Sequence, residues 1–526
     1  MNTTHKSVPA HGRYSILAAI CLAALVLPMS FTGGAVATPY IGQAFAAQPS
    51  QLAWITNAFM LSFGSLLMAA GTLADLYGRK RLFLWGMALF TVVSVLLAVA
   101  PGIFWLDVLR GVQGVAAATA LASGCAALAQ EFDGHARTRA FSLLGTTFGA
   151  GLAFGPLLSG LLIEHWSWRA IFLGTALLAG ISLLFAAPKM RESRDPQALR
   201  LDTAGVLTFS AMLVALTTAV ILAPEHGWAS PLVDALLAAA AVFLLIFIFV
   251  ENRSSQPMLE LRLFRFPRFI GVQLLPIGTC YCYIVLIVLL PLRFIGVEGA
   301  SALDAGLMML ALSAPMLMVP MIAASLTRWA SAGVLCAIGL LIAAVGLWGL
   351  SLADRPAHTV AAMLVIGIGT GLPWGLMDGL AISVVPKERA GMAAGIFNTT
   401  RVASEGVALA ITMAVLGALV AHHLPGSATG DVSVIAQALV MGDVLQASTK
   451  LPLAELRAAY TAGFNTLLQL LAGFTLLTAM VVFMFLARRA PELSQEEAPG
   501  TDLNRRHKKA RSMSGLPVVP GVQRSR

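Results

Sequence analysis

The sequence predicts an all-α polytopic membrane protein that crosses the bilayer fourteen times. Three observations carry this expectation. The chain is 58% hydrophobic and only 11% charged, with a mean hydropathy of +0.83, whereas soluble proteins carry roughly a quarter charged residues. Its apolar residues gather into runs long enough to span, a crossing needing about 20 residues. Its lysines and arginines fall between those runs rather than on one face, so the net charge of +9 does not point to nucleic acid.

In order, the runs lie near 15–37, 51–72, 82–100, 104–128, 139–163, 168–187, 203–223, 231–250, 269–292, 303–325, 331–352, 358–384, 393–421 and 462–487. An even number places both termini on one side. Of the 34 lysines and arginines, 27 fall in the termini and the loops sharing their side. Five (Arg169, Arg293, Arg355, Lys450, Arg457) fall opposite, and two (Arg110, Arg401) lie inside spans. Positive residues stay inside, so both termini are expected in the cytoplasm. The five cysteines all sit in apolar runs, where neither disulfides nor a zinc site are expected. No G-x-x-x-x-G-K-[ST] segment occurs, which argues against a built-in ATP motor.

Between the second and third runs lies Gly71-Thr-Leu-Ala-Asp75-Leu-Tyr-Gly78-Arg79-Lys80-Arg81. Gly71 and Gly78 permit close backbone approach. Asp75 is placed to accept hydrogen bonds from a neighbouring helix N-terminus, and the three cations hold the loop inside. The pattern resembles the cytoplasmic loop signature of the major facilitator superfamily of secondary transporters. In that family such a loop latches the two bundles.

Two further stretches narrow the resemblance. In the fourth run, Arg110-Gly-Val-Gln113-Gly114-Val-Ala-Ala-Ala resembles the superfamily's R-x-x-Q-G-x-x-A motif. A membrane-embedded arginine is costly and marks function, although Asp107, three residues earlier, is an alternative structural partner. In the fifth, Gly149-Ala-Gly151-Leu-Ala-Phe-Gly155-Pro156-Leu-Leu-Ser159-Gly160 resembles the motif associated with antiporters. Its small residues allow close crossing, and Pro156 bends the helix. Trp168-Arg169-Ala-Ile-Phe172 and Gln51-Leu-Ala-Trp54-Ile-Thr-Asn-Ala-Phe59 are similar to neighbouring family segments. With fourteen spans, the chain resembles the 14-span drug/proton antiporter branch.

The resemblance implies two six-helix bundles of inverted repeats around a central cavity, with two extra helices between them. It divides the chain into a cytoplasmic N-terminus 1–14, a first bundle 15–187 and a linker 188–268. A second bundle 269–488 follows, with an outer loop 422–461, and the basic tail 489–526 is expected to be disordered. Within the linker, Pro257-Met-Leu-Glu-Leu-Arg262-Leu-Phe-Arg265-Phe-Pro-Arg268-Phe reads as a membrane-surface segment. The family implies a multi-pass carrier of the bacterial inner membrane, not an enzyme, with no cofactor and no metal. Its partners are a small-molecule substrate, protons and the lipid bilayer, and it is expected to act as a monomer.

One departure bears on coupling. The branch usually carries D-x-T-x-V-N-V-A-L-P in the first span. Aligned on Pro39, this chain has Ser30 at the aspartate and Ala35 at the asparagine. The second half offers other groups. At 1.5 Å per residue, Asp378 in the twelfth run lies about 10 Å and Arg401 in the thirteenth about 12 Å from the cytoplasmic boundary, so they can pair. Glu405 lies one turn deeper on the face of Arg401, where a carboxyl group is placed to carry a proton. Proton coupling is therefore expected to involve Glu405, Asp378, Arg401 and Arg110. The conformational switch is expected at Gly71, Asp75, Gly78, Arg79, Gly155 and Pro156, and the substrate cavity at Trp374, Tyr281, Tyr283 and Gln113. Within transport, the alternatives are a dedicated exporter of a metabolite such as a siderophore and an uncoupled facilitator. A non-transporting membrane sensor would not need these signatures together.

Overall fold

Helix boundaries follow the chain's prolines, serines and glycines. Pro49, Pro231, Pro267 and Pro356 each stand in the first turn of a helix, where the missing N–H costs nothing. The hydroxyls of Ser230, Ser301 and Ser331 cap first turns by accepting from the N–H groups of Val233, Asp304 and Val334. Gly78 turns the chain between two helices at φ +118°, a conformation side chains disfavour.

The computed structural model describes residues 10–132, 134–194, 202–254, 257, 259, 261–384, 390–425, 432–448 and 451–487. Residues 1–9, 195–201 and the tail 489–526 lie outside these. Among the described residues, fourteen helices are long and apolar enough to cross a membrane. In order they are Arg13–Phe45, Pro49–Tyr77, Arg79–Ala98, Ile103–Glu131, Arg139–His165, Trp168–Lys189, Thr203–Pro224, Pro231–Arg253, Pro267–Val297, Ala302–Leu326, Ala332–Ser351, Pro356–Ala381, Gly395–His423 and Leu453–Leu486. They are called the first to fourteenth spans below.

The packing repeats. In the first bundle, the first span packs on the fifth and sixth, the third on the fourth and sixth, and the second on the fourth. Shifted by eight spans, the same pairings hold the second bundle together: ninth on thirteenth and fourteenth, eleventh on twelfth and fourteenth, tenth on twelfth. The bundles meet where the second span crosses the thirteenth and the fifth crosses the tenth. Glycines permit both crossings. A Cβ on Gly64 would lie 2.8 Å from the Ala403 nitrogen, and one on Gly160 would run into the Ala302 carbonyl.

The seventh span lies against the second and thirteenth, and the eighth packs on the seventh. Of the eighth span's residues only Val233, Ala240, Phe247 and Glu251 are buried. Exposed side chains such as Trp85, Leu177, Leu245 and Met484 would be a liability in water; here they face lipid.

Several boundaries differ from expectation. The second helix runs on through Gly71 and Asp75 to Tyr77, so the loop expected at 71–81 shrinks to Gly78. The fourteenth span starts at Leu453 rather than near 462. Its first turns are amphipathic, with Leu456, Ala459 and Tyr460 buried, a pattern that hydropathy alone overlooks. The outer loop 422–461 is correspondingly shorter and holds helices Val432–Val440 and Val444–Ser448. The ninth span contains π-helical turns at Cys280–Ile284 and Leu292–Val297, near Pro276 and Pro291, which each remove a ladder donor. In the linker, Leu263 packs with Phe269 on Ala393 and Ile396, while Phe264 and Phe266 stay exposed.

One end of the molecule carries Gly78, Lys189 and Ala487, and the other carries the segment around Gly442. At the Gly442 end the chain packs closely. Gly442, at φ +77°, sits against Gly296 of the ninth span and near Pro39 of the first. Arg457 donates to the carbonyls of Val297 at 2.9 Å and Glu298 at 3.3 Å.

Candidate functional site

Two polar centres stand inside the bundles. The first is built on Arg110, which is fully buried. Its Nε donates to the Ile55 carbonyl at 2.8 Å, and its Nη1 donates to Gln113 Oε1 at 2.5 Å and Ser30 Oγ at 3.1 Å. Ser30 in turn donates to Gln113 Oε1 at 3.2 Å, and Gln113 Nε2 donates to Ser94 Oγ at 2.8 Å. Four helices thus share one hydrogen-bonded network, the form in which a buried charge is tolerated. Arg110 Nη2 has no partner among the described residues and faces the bare backbone of Gly34, where a Cβ would lie 3.1 Å away. Asp107, the alternative partner, forms no ion pair with Arg110 within 4.0 Å, and its Oδ1 is buried without a partner among the described residues.

The second centre is Glu405, which is 9% exposed. It lines a cavity whose other walls are apolar: Leu27, Pro28 and Phe31 from the first span, Phe59, Met60 and Phe63 from the second, Phe148 and Leu152 from the fifth, and Ile284 from the ninth. Among the described residues none donates a hydrogen bond to its carboxylate. Phe59 separates the two centres, since it lines this cavity and also stacks 4.5 Å from the Arg110 guanidinium.

Arg401 and Asp378 come together, Nη1 to Oδ1 at 3.4 Å. The aspartate is 63% exposed and the arginine 14%, so the pair sits at a rim. Arg401 Nη2 donates to Asn398 Oδ1 at 2.8 Å, and the guanidinium lies about 6 Å from Trp374 and Phe397. It thereby turns away from Glu405, with which it makes no ion pair within 4.0 Å. The Trp374 ring lies 6.1 Å from that of buried Tyr283. Tyr281 points elsewhere, edge-on to Phe474 of the fourteenth span at 4.6 Å. Gln113 is taken up by the Arg110 network rather than by the cavity around Glu405.

The turn at Gly78 differs from expectation in its bonding. Asp75 does not cap a neighbouring helix; it pairs with Arg79, one turn on, at 2.8 Å. Arg79 Nη1 continues to Gln130 Oε1 at 2.5 Å. The cap comes from Glu192, just after the sixth span, whose carboxylate accepts from the Lys80 and Arg81 N–H groups at 3.2 and 3.3 Å. An acid at a helix N-terminus is favourable. Glu192 also fills the space a Gly78 Cβ would need. Gly71, inside the helix, faces Ala122 of the fourth span, a Cβ there lying 4.0 Å from it.

In the fifth span the glycines divide between two neighbours. Cβ atoms on Gly151 and Gly155 would run into Leu25, Pro28 and Thr32 of the first span, whereas Gly149 and Gly160 face the tenth. The Pro156 carbonyl meets Gly306, also on the tenth, where a Cβ would lie 3.0 Å away. Gly155 and Pro156 therefore stand where the fifth span touches a helix of each bundle.

The sequence left Ser94 and Glu192 unremarked, and named Phe59 only within a family-like segment. Of these only Ser94 carried a local signal, as a hydroxyl within the apolar run Val92-Val-Ser94-Val-Leu-Leu.

A sequence profile of the Major Facilitator Superfamily matches residues 19–408. Multidrug resistance protein Stp of Mycobacterium tuberculosis (strain CDC 1551 / Oshkosh) is 33% identical over 390 residues, covering 73% of this chain and 72% of Stp. Cephamycin export protein CmcT of Amycolatopsis lactamdurans is 33% identical over 392 residues, 73% of this chain and 80% of CmcT. The tetracenomycin C resistance and export protein of Streptomyces glaucescens is 28% identical over 526 residues, 92% and 93% of the two chains. Among solved structures, a bacterial homolog of the human lysosomal transporter Spinster, inward-facing and occupied, matches with a TM-score of 0.62 over 92% of this chain and 100% of that one. At 14% identity this is a likeness of fold.

Proposed function

Because this chain belongs to the Major Facilitator Superfamily, we propose that it exports small amphipathic molecules in exchange for protons. The observation that carries the proposal is the Glu405 carboxylate, set in an otherwise apolar cavity between the bundles with no hydrogen-bond donor among the described residues. A carboxyl group in such a place can take up and give back a proton as the cavity changes its opening. The apolar walls suit an amphipathic substrate. Relatives named for multidrug resistance and for antibiotic export support the same reading.

Alternating access follows from two bundles that pivot across the Gly64–Ala403 and Gly160–Ala302 crossings. The close packing of Gly442 against Gly296 is the closed outer gate in this account. The Gly78 end, with 27 of the 34 basic residues on its side, is the cytoplasmic one, so both termini are cytoplasmic and the bilayer is the bacterial inner membrane. The carrier works as a monomer.

A second reading, a dedicated exporter of one metabolite, is favoured by the relatives whose names specify a single exported compound. Efflux from proteoliposomes under an imposed pH gradient, with cationic, neutral and anionic fluorescent amphipaths, tests both. Coupled export predicts transport that follows the gradient and collapses with a protonophore. Transport of one probe class alone favours the dedicated exporter, and transport indifferent to the gradient contradicts coupling.

A further inference from the structure

The chain enters the ninth span through a short turn with two unlike sides. Leu261–Arg265 makes one 3₁₀ turn, and Pro267 starts the span. This is the Gly78 end of the molecule, since a Cβ on Gly271, one turn into the span, would meet Phe485 and Leu486 at the end of the fourteenth. On the inner side Leu263 and Phe269 are fully buried with Ala393 and Ile396, on the helix that carries Arg401 and Glu405. The Leu259 N–H donates to Glu251 Oε2 at 3.1 Å, which fixes the segment to the end of the eighth span. The turn is therefore held on one side and bare on the other.

On the bare side Phe264, Arg265 and Phe266 are exposed in succession. The Phe264 ring stands edge-on to buried Phe269 at 5.4 Å, so packing fixes its position. Two neighbouring span ends repeat the pairing of a cation with an exposed ring. Arg253 lies over Phe249 at 4.3 Å, and Arg328 over Trp329 at 4.1 Å. Aromatic side chains gather at the level of lipid headgroups, where one part is apolar and the other wet. Charge points the same way: residues 257–268 hold Arg262, Arg265 and Arg268 against the single acid Glu260. A soluble acidic partner would satisfy the arginines and leave the rings in water, whereas an anionic lipid surface takes both.

We propose that this turn is a docking site for anionic lipid. Phe264 and Phe266 enter the headgroup boundary, and Arg265 between them takes a lipid phosphate. The leaflet is the cytoplasmic one if the orientation proposed above holds; the preference for anionic lipid does not rest on it. Through Leu263 and Phe269 the bound lipid bears on the cytoplasmic end of the thirteenth span.

The test places the full-length protein in lipid nanodiscs, with a tryptophan at the turn (Phe266→Trp) read as the difference in emission from wild type. Brominated phosphatidylglycerol and brominated phosphatidylcholine are the quenchers, each as a minor component. Both should quench, and the anionic lipid should act as if enriched about fivefold beside the probe, the effect of one arginine near a charged surface. Adding Arg265→Gln should remove the enrichment and leave quenching by phosphatidylcholine, and raised salt should weaken it. Leu245→Trp, in the body of the eighth span, should be quenched alike by both lipids. Quenching of Phe266→Trp by neither lipid would put the turn in water and overturn the proposal. Equal quenching by the two, or an enrichment that survives Arg265→Gln, overturns it as well. Nanodiscs offer the same lipid on both faces, so no outcome depends on the direction of transport or on proton coupling.

Discussion

The hydroxyl of Ser30 accepts a hydrogen bond from Arg110 Nη1 at 3.1 Å. The position at which the resemblance to the 14-span drug/proton antiporter branch implies a carboxylate thus faces the buried guanidinium with a neutral oxygen instead of a charge. Ser30→Ala removes one acceptor and leaves that donor to Gln113 alone. A loss of about 1–3 kcal/mol is expected for a buried group left short of a partner. Ser30→Asp, which supplies an acceptor of opposite charge, should keep fold and expression. Thermal unfolding in detergent checks both, and wild-type stability of Ser30→Ala would contradict the network's role.

The Gly78 turn separates two acids by task. Asp75 holds Arg79, and Arg79 reaches Gln130. Glu192 caps the helix that follows. Asp75→Asn is expected to abolish transport while leaving expression intact, because the ion pair ties the second span to the third across the turn and, through Gln130, to the fourth. Glu192→Gln keeps hydrogen-bonding oxygen but loses charge, so transport should fall only a fewfold, in line with about 0.3–1 kcal/mol for an acid at a helix N-terminus. Efflux at matched expression separates them, and equal effects would refute the division.

Gly155 and Thr32 form the tight contact of the fifth span with the first, since a Cβ on Gly155 would run into Thr32 Oγ1. Overpacking costs about 1–3 kcal/mol, enough to shift a two-state carrier about 5-fold to 150-fold. Gly155→Ala should therefore slow exchange, and Gly155→Leu should lock or leak the carrier. Thr32→Ala in the Gly155→Ala background should restore part of the rate, a positive coupling that a double-mutant cycle reads directly. Additive effects would show that the two residues do not restrain one another.

The fourteen spans were legible because apolar length alone signals a crossing, and the glycine-rich signatures were legible because their spacing is local. What escaped was tertiary. Glu192 caps a helix that starts more than a hundred residues earlier, and no local pattern links them. The helix through Gly71 to Tyr77 outlasts its apolar run, with Ala74 buried and Asp75 bonded to Arg79 across the turn. The π turns of the ninth span arise from prolines whose effect on register depends on neighbouring helices. Arg401 was placed correctly relative to Asp378, but its bond to Asn398 depends on which rotamer the packing admits.

Coupling through Glu405 is the central claim, and it separates this residue from its neighbours. Asp378→Asn should be mild, because the pair with Arg401 sits at an exposed rim where such bridges contribute about 0–1 kcal/mol. Glu405→Gln should abolish gradient-driven efflux while leaving binding or downhill exchange measurable. The most direct measurement is proton release from purified protein in weakly buffered detergent upon addition of a transported amphipath. Wild type and Asp378→Asn are predicted to release protons, and Glu405→Gln to bind the amphipath and release none. Proton release by Glu405→Gln equal to wild type would contradict the account and place the coupling group elsewhere.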